Sequence, residues 1–310
     1  MGRKFPIGTL SFLPQHMFKS FLSRLGFGQA SSGHLPASVD AFLAGQRIAR
    51  GITEGAGFLA SRLGFTEALC LAAAEDGSLD ATEIRGRLWR YSGVFPDTAD
   101  EFSRFQKSYV SALGEVDLLG LIAAPGERSL YEKYARDPLR CDLGALEPYF
   151  SPKPWSRELK GRRVLVVHPF VDSIRNQFEN HREELFNDPD VLPEFELLAL
   201  RSPQTIAGNT DGYQSWSAAL QELQDRVAGE TFDVAIVGCG AYGMPLGAFI
   251  KRQGKPCIHL GGATQILFGV SGARWQNQPA FRALMTPAWM APMESERPPG
   301  FEKVEKGCYW

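Results

Sequence analysis

The chain has 310 residues, 44% of them hydrophobic and 22% charged, enough apolar material for one large α/β domain or two smaller ones. Lysine and arginine total 33 against 35 aspartates and glutamates, a net charge of -2 that leaves no basic footprint for nucleic acid. No apolar run reaches the ~18 residues of a membrane span, and none of the five cysteines (Cys70, Cys141, Cys239, Cys257, Cys308) forms a C-x-x-C pair or has zinc-ligand spacing. Cys70, Cys239 and Cys257 sit inside apolar runs, which fits free thiols in a reducing compartment.

Residues 1–35 are rich in Gly, Ser, Pro and Phe and read as a tail. Within it, Met17 to Leu25 is a short basic amphipathic stretch, suited either to peripheral contact with an anionic membrane surface or to docking on the body. Helical spacing is expected from Val39 to Arg50, and Phe58 to Gly64 reads as a strand ending in a turn. Thr66 is the expected N-cap of a helix from Glu67 to Ala74. Thr98 to Leu113 reads as a helix with Phe102, Phe105, Tyr109 and Leu113 on one face, Asp117 to Ile122 as a strand, and Leu130 to Tyr134 as a short helix. Ser151-Pro152-Lys153-Pro154 is the best internal boundary, so residues 36–310 are expected to form one α/β domain in two halves, 36–154 and 155–310.

The second half alternates more clearly. Arg163 to Phe170 is a continuous apolar run of the kind found in strands buried on both faces. A polar helix (Ser173 to Phe186), a strand (Glu194 to Leu200), an amphipathic helix (Ser215 to Val227), a buried strand (Phe232 to Cys239), a helix (Met244 to Gln253) and a third buried strand (Pro256 to Gly261) follow. This order predicts βαβ units, right-handed crossovers and a Rossmann-like, doubly wound, mostly parallel sheet with helices on both faces and its ligand at the carboxyl ends of the strands.

Candidate site residues gather at those ends. Gly238-Cys239-Gly240-Ala241-Tyr242-Gly243 fits G-x-G-x-x-G between a strand and a helix, where bare backbone lets a phosphate approach the helix N-terminus. The next strand ends His259-Leu260-Gly261-Gly262 with no carboxylate for a ribose, so NAD is not expected; the same glycines also serve as a tight turn without ligand. His259, Gly261, Gly262 and Gln265 form a second glycine turn opening a helix, and His168 ends its strand on the same rim, with Arg175 on the helix that follows. His259 reads equally as a hydrogen-bonded, half-buried histidine, and Arg175 as a solvated helix residue. Arg62-Leu63-Gly64-Phe65-Thr66-Glu67 places a carboxylate at a helix start, either as a partner of the helix dipole or as a ligand for Mg2+ or Mn2+ or a sugar hydroxyl. Trp275, Trp289 and the pair Tyr309-Trp310 offer rings for stacking or for closing a core edge, and the last pair predicts a docked segment near the cleft.

These residues resemble a family. The strand, R-x-G-x-x-E and helix unit from Arg62 to Glu67 is similar to the GT-D-fold bacterial glycosyltransferases, and the stretch from Phe232 through Gly243 to Gly262 and Arg274-Trp275 resembles uncharacterised surface-polysaccharide proteins related to them. The resemblance implies a Rossmann-like fold, a nucleotide-sugar donor, a glycan or lipid-linked acceptor, and a divalent metal held through an acidic motif. Arg62, Gly64 and Glu67 match the family's R-x-G-D-G-E pattern, whereas Phe65 replaces its acid and Thr66 its second glycine. The acid pair is thereby reduced to Glu67, with Asp117 as a conceivable second carboxylate. The expectation is a cytoplasmic glycosyltransferase, peripheral at the inner membrane face if the N-terminal stretch engages lipid. The rivals are an NAD(P)-dependent oxidoreductase and a non-catalytic nucleotide-sugar-binding protein.

Overall fold

The structure, a computed structural model, describes residues 35–304 and 306–310. The predicted tail, apart from Leu35, and the amphipathic stretch from Met17 to Leu25 lie outside those residues. No helix among the described residues is long and apolar enough to cross a membrane.

Seven strands form one sheet in the order β3-β2-β1-β7-β6-β4-β5, every pair parallel. They are β1 (Phe58–Arg62), β2 (Leu118–Leu121), β3 (Leu139–Asp142), β4 (Arg163–His168), β5 (Glu196–Arg201), β6 (Val234–Val237) and β7 (Pro256–His259). The chain is thus an α/β protein with a Rossmann-like, doubly wound sheet. β1 pairs with β7, so strands from both sides of the Ser151–Pro154 segment share it.

Side chains alternate between two cores because a strand has period two. On one face Leu59, Leu119, Leu165, Val167, Val237 and Cys257 meet α2 (Phe65–Asp76), α3 (Ala81–Ser92), α4 (Ala99–Leu113), α5 (Glu127–Tyr134), α7 (Trp216–Ala228) and α8 (Gly243–Arg252). On the other, Phe58, Ala60, Val164, Val166, Ile236 and Ile258 meet α1 (Ala41–Glu54), α6 (Val171–His181) and the segment from Leu260 onward, which includes α9 (Ala263–Leu267), α10 (Ala273–Gln276) and α11 (Pro279–Arg282). The chain leaves β4 for one face and β6 for the other, and the two strands are neighbours. A crevice therefore opens at their carboxyl ends, the place where open α/β sheets bind ligands.

Most elements lie where the apolar pattern puts them, but the helix expected to reach Phe186 ends at His181, α10 and α11 were not expected, and three further differences follow. Helix α2 begins at Phe65 with Gly64 as its N-cap, so Thr66 is inside the first turn and not the cap. Helix α3 was not expected, although Asp80 accepts from the Thr82 and Glu83 N–H groups and Ile84 and Leu88 share a buried face. Strand β3 was also missed, because its exposed edge pattern lacks a buried apolar run.

Candidate functional site

The sheet register aligns the strand ends. Val237 pairs with His259, and Ala60 with Ile258, so His168, Gly238, His259, Ser61 and Arg62 stand along one carboxyl rim. At the crevice between β4 and β6 lies a cavity of about 140 Å³. Six of the expected residues line it: His168, Gly238, Gly240, Tyr242, Gly262 and Gln265. No Asp, Glu, Lys or Arg does so among the described residues.

Each lining residue is fixed by local structure. Gly238 is bare because a Cβ there would lie 2.5 Å from Thr264 Oγ1, 2.6 Å from the Gly261 carbonyl oxygen and 2.7 Å from His168 Cδ2. Gly240 turns at φ +56° into open space, a conformation that other residues adopt at a cost. The Tyr242 hydroxyl bonds Thr205 Oγ1 at 2.7 Å, and Thr205 donates to the Gly93 carbonyl, so the phenol hands its own proton to Thr205. Its ring stacks on Trp216, 5.3 Å between centroids. Gln265 Nε2 donates to the carbonyls of Val270 and Tyr309, anchoring the segment that carries Tyr309 and Trp310 against the cavity. The predicted docking of that segment is observed.

His168 is buried, and burial holds its pKa down at about 3. The Phe170 N–H donates to its Nδ1 at 3.0 Å, which puts the ring proton on Nε2. His259 is likewise held at about 3, by burial and then by the Arg62 charge. Both rings are neutral at pH 7 in the ligand-free fold. His259 does not line the cavity. Its Nδ1 bonds Ser61 Oγ at 2.8 Å and its ring fills the place of a side chain on Gly243, with Nε2 2.1 Å from the Cβ position. The third glycine of G-x-G-x-x-G thus accommodates a ring from the next strand. Gly243→Ala has an ordinary helical φ of -62° and no backbone strain, so the clash alone sets its effect. The expected loss is about 2–3 kcal/mol, the usual cost of overpacking, and His259→Ala in the same chain should recover part of it. A double-mutant cycle in urea checks this; strictly additive losses would refute the steric account.

Arg62, Gly64, Glu67 and Gly261 sit one strand further along the rim. The Arg62 Nη1 is 3.4 Å from where a Cβ on Gly261 would lie, so the guanidinium rests against the second glycine turn. Gly64 is bare because Glu67 Oε2 occupies its side-chain position, 1.8 Å from an ideal Cβ. The Gly64 N–H donates to the Tyr109 hydroxyl at 2.8 Å. The R-x-G-x-x-E spacing therefore folds a buried carboxylate back over its own glycine. Two more buried carboxylates feel the Arg62 charge: Glu127, which accepts from the Ile122 and Ala123 N–H groups, and Glu147, which accepts from the Tyr149 hydroxyl. Burial pushes both up to about 7, against that charge.

Two expected residues lie elsewhere. Arg175 is exposed on α6 and pairs with Asp172 at 3.4 Å, because its helix turns that side chain to solvent. Asp117 precedes β2 and so stands at the amino end of the sheet. There it accepts from the Leu59 N–H and pairs with Lys251 at 2.7 Å, a strand's length from Glu67. Among the described residues no three His, Cys, Asp or Glu side chains gather to hold a metal ion.

The helix N-termini on this rim differ in one respect. Glu296 accepts from the Asp172 and Ser173 N–H groups and from Ser173 Oγ, filling the N-terminus of α6 with a carboxylate. Glu101 does the same for α7 through Ser217 N–H and Oγ. Glu127 and Glu67 stand in the first turns of α5 and α2. Helix α8 has no acidic residue in its first turn and no side-chain cap, and its approach, Gly240 to Tyr242, borders the cavity.

Comparison with known proteins adds a likeness of fold. A solved structure of domain of unknown function 1792, described as having a distinct glycosyltransferase fold, is 14% identical, covers 71% of this chain and 82% of its own, and has a TM-score of 0.34. A selenomethionine-substituted structure of that domain aligns over 72% of this chain and 82% of its own, with the same identity and TM-score. No protein-family model and no curated protein matches the chain. Chemistry for this chain follows from its own residues.

The residues missed in the sequence come from elements outside the β-rim pattern. Tyr91 and Ser92 reach the cavity from the end of the unexpected helix α3, and Gln204, Thr205 and Ile206 from the loop after β5. The capping spacing of Asp80 and Glu83 was the available signal for the first pair.

Proposed function

We propose that this chain is a glycosyltransferase that takes a nucleotide-sugar donor and transfers its sugar to a glycan or lipid-linked acceptor in surface-polysaccharide synthesis, on the cytoplasmic side of the membrane. The observation that carries the reading is the N-terminus of α8, which has no acidic residue and no side-chain cap, beside the switch-point cavity, on a rim where the N-termini of α2, α5, α6 and α7 each meet a carboxylate. The helix dipole, lengthened by the turn Gly240–Tyr242 that leads into α8, favours an anion at such an end.

In this reading the donor diphosphate lies along Gly238, Gly240 and Gly262. Arg62, against the Gly261 turn, offsets the charge that develops as the nucleoside diphosphate departs. The acceptor oxygen bonds the anomeric carbon, the bond from that carbon to the diphosphate breaks, and the acceptor's proton passes to Glu67. A divalent cation, where one takes part, would draw oxygens from the diphosphate as well as from Glu67. The dinucleotide alternative lacks support: β7 ends at His259, whose ring is committed to Gly243 and Ser61, with no acid for a ribose.

Thermal unfolding tests the reading. A saturating nucleotide-sugar, at about 100 times its Kd, stabilises the folded state by about 2.7 kcal/mol, a rise of roughly 5–10 °C for a chain of this size. The panel holds UDP- and GDP-sugars and NADPH, each with and without manganese. A rise with NADPH alone, or no rise with any nucleotide-sugar, would end the proposal.

A further inference from the structure

Three side chains that line the cavity each keep one polar atom without a partner from the fold. They are His168, Gln204 and Gln265, exposed by only 2%, 8% and 1%. His168 Nδ1 accepts from the Phe170 N–H, so Nε2 keeps the proton and is a donor. The Cδ2 edge of that ring faces the space over Gly238, 2.7 Å from where a Cβ there would lie. Both glutamine amides are fixed in orientation by the carbonyls they donate to. Gln265 Nε2 bonds the Val270 and Tyr309 carbonyls, and Gln204 Nε2 bonds that of Glu296. A flipped amide would set oxygen against oxygen at each place. The two Oε1 atoms are therefore acceptors, and neither receives a hydrogen bond among the described residues. Ser92 Oγ and Trp310 Nε1 are sealed inside the wall, whereas His168 Nε2 and the two Oε1 atoms keep open surface. Buried polar groups in native folds nearly always have partners, so one donor and two acceptors ask for an occupant.

We propose that Gln204 and Gln265, with His168, are specificity-determining residues that select a donor whose base carries an exocyclic amino group and reject uracil and thymine. This rests on the nucleotide-sugar reading above and names its substrate class. No ionised side chain lines the cavity among the described residues, so a diphosphate buried there would have no counter-charge. The neutral base is the part of the donor that suits the interior, beside the Tyr91, Phe170 and Trp310 rings. Arg62 and Glu67 lie on the β1 side of the Gly261 turn, which leaves the sugar there. Two acceptors and one donor in the wall need two hydrogens and one lone pair from the ligand. Guanine supplies N1–H and its amino group beside O6. Adenine and cytosine supply both hydrogens of the amino group beside a ring nitrogen. Uracil and thymine have a single N–H between two carbonyls, so one Oε1 would be left buried without a hydrogen. A site built to receive an N–H discriminates strongly against a ligand that lacks it.

The test edits the ligand before the protein. Calorimetry titrates three pairs into wild type, Gln204→Met and Gln265→Met: GDP and IDP, CDP and UDP, ADP and the diphosphate of purine riboside. One member of each pair lacks the amino group. An amino-bearing diphosphate should bind wild type best, and its counterpart should bind roughly five- to 150-fold more weakly, the effect of a buried acceptor left unpaired. In each variant that gap should narrow several-fold, whereas loss of a merely structural glutamine would weaken both members alike. The Gln204 side chain holds the fold by one hydrogen bond and Gln265 by two, so Gln204→Met decides the matter if Gln265→Met does not fold. If the member without the amino group binds wild type as tightly as its counterpart, or UDP binds best of all, the inference is wrong. It is equally wrong if the gap is the same in wild type and Gln204→Met. In each of those cases a melting shift with a UDP-sugar would leave the donor reading standing. If wild type binds no nucleoside diphosphate and no nucleotide-sugar, the parent reading has failed, and this inference with it.

Discussion

Stability measured against pH is expected to be nearly flat from about pH 4.5 to 6.5 and to fall by roughly 2.7 kcal/mol per unit below it. Four buried groups set this shape. His168 and His259 are held at about 3 in the fold, against an ordinary 6.5, chiefly by burial. Between those values the unfolded chain binds two protons that the native chain does not, so their contribution is complete above pH 6.5 and is lost as pH falls. Glu127 and Glu147 are pushed by burial from 4.5 up to about 7. There the native chain binds the extra protons, so their contribution is complete below pH 4.5 and is lost as pH rises toward 7. From 4.5 to 6.5 the two effects oppose each other, two protons against two. Below 4.5 the buried histidines act at about 1.4 kcal/mol per unit each, and Asp76, held below the usual carboxylate range by its hydrogen bonds to Ser78, acts in the same direction. Urea midpoints from pH 3 to 8 read the curve. His168→Gln should halve the acid slope, and Glu147→Gln should tilt the plateau upward with pH. A slope unaltered by the histidine substitution would mean that the ring is not held neutral by its site.

The same burial explains how much of the molecule was legible in sequence. Strands such as Arg163–His168 and Val234–Val237 are covered on both faces, and a continuous apolar run is the direct imprint of that. The glycine turns were legible for the same reason: they follow those runs at once, and the parallel register then puts them on one rim. Residue roles were less so. Gly243 looks in sequence like a cofactor glycine, yet what needs the space is His259, 16 positions later and one strand away. Gly64 looks like a turn residue, and what needs its space is the Glu67 carboxylate. A one-dimensional pattern says that something comes close to a glycine and cannot say what. Gln204 carries no local signal, because it reaches the cavity from a loop; Ser92 is announced only by the capping residues of its helix, and Trp310 only by the aromatic pair it forms with Tyr309. The filling of the α6 N-terminus by Glu296, 123 residues from Ser173, belongs to the same class of long-range fact.

Glu67→Gln should bind the donor as wild type does and lose activity by 10²–10⁴, roughly the contribution of a general base. The assignment rests on placement. Glu67 is fixed at the start of α2, buried, with its carboxylate over Gly64 and with Arg62 and Tyr109 close by. Its side chain is held in one position while the cation that would offset the leaving group stands on the same side of the Gly261 turn. Glutamine keeps the shape, so the Gly64 space stays filled, and removes only the capacity to take a proton. Release of nucleoside diphosphate, with water or an acceptor hydroxyl as the attacking group, gives the rate; calorimetry gives the donor Kd. A base is used only in the transition state, so kcat should fall while Kd holds. Phe65, where the resembling family has an acid, leaves no second carboxylate in the motif to take over, which argues for the larger end of the range. Should the variant unfold several degrees lower and still turn over at the wild-type rate, Glu67 would be a structural brace for the Arg62 corner, and the proton would have to leave by another route.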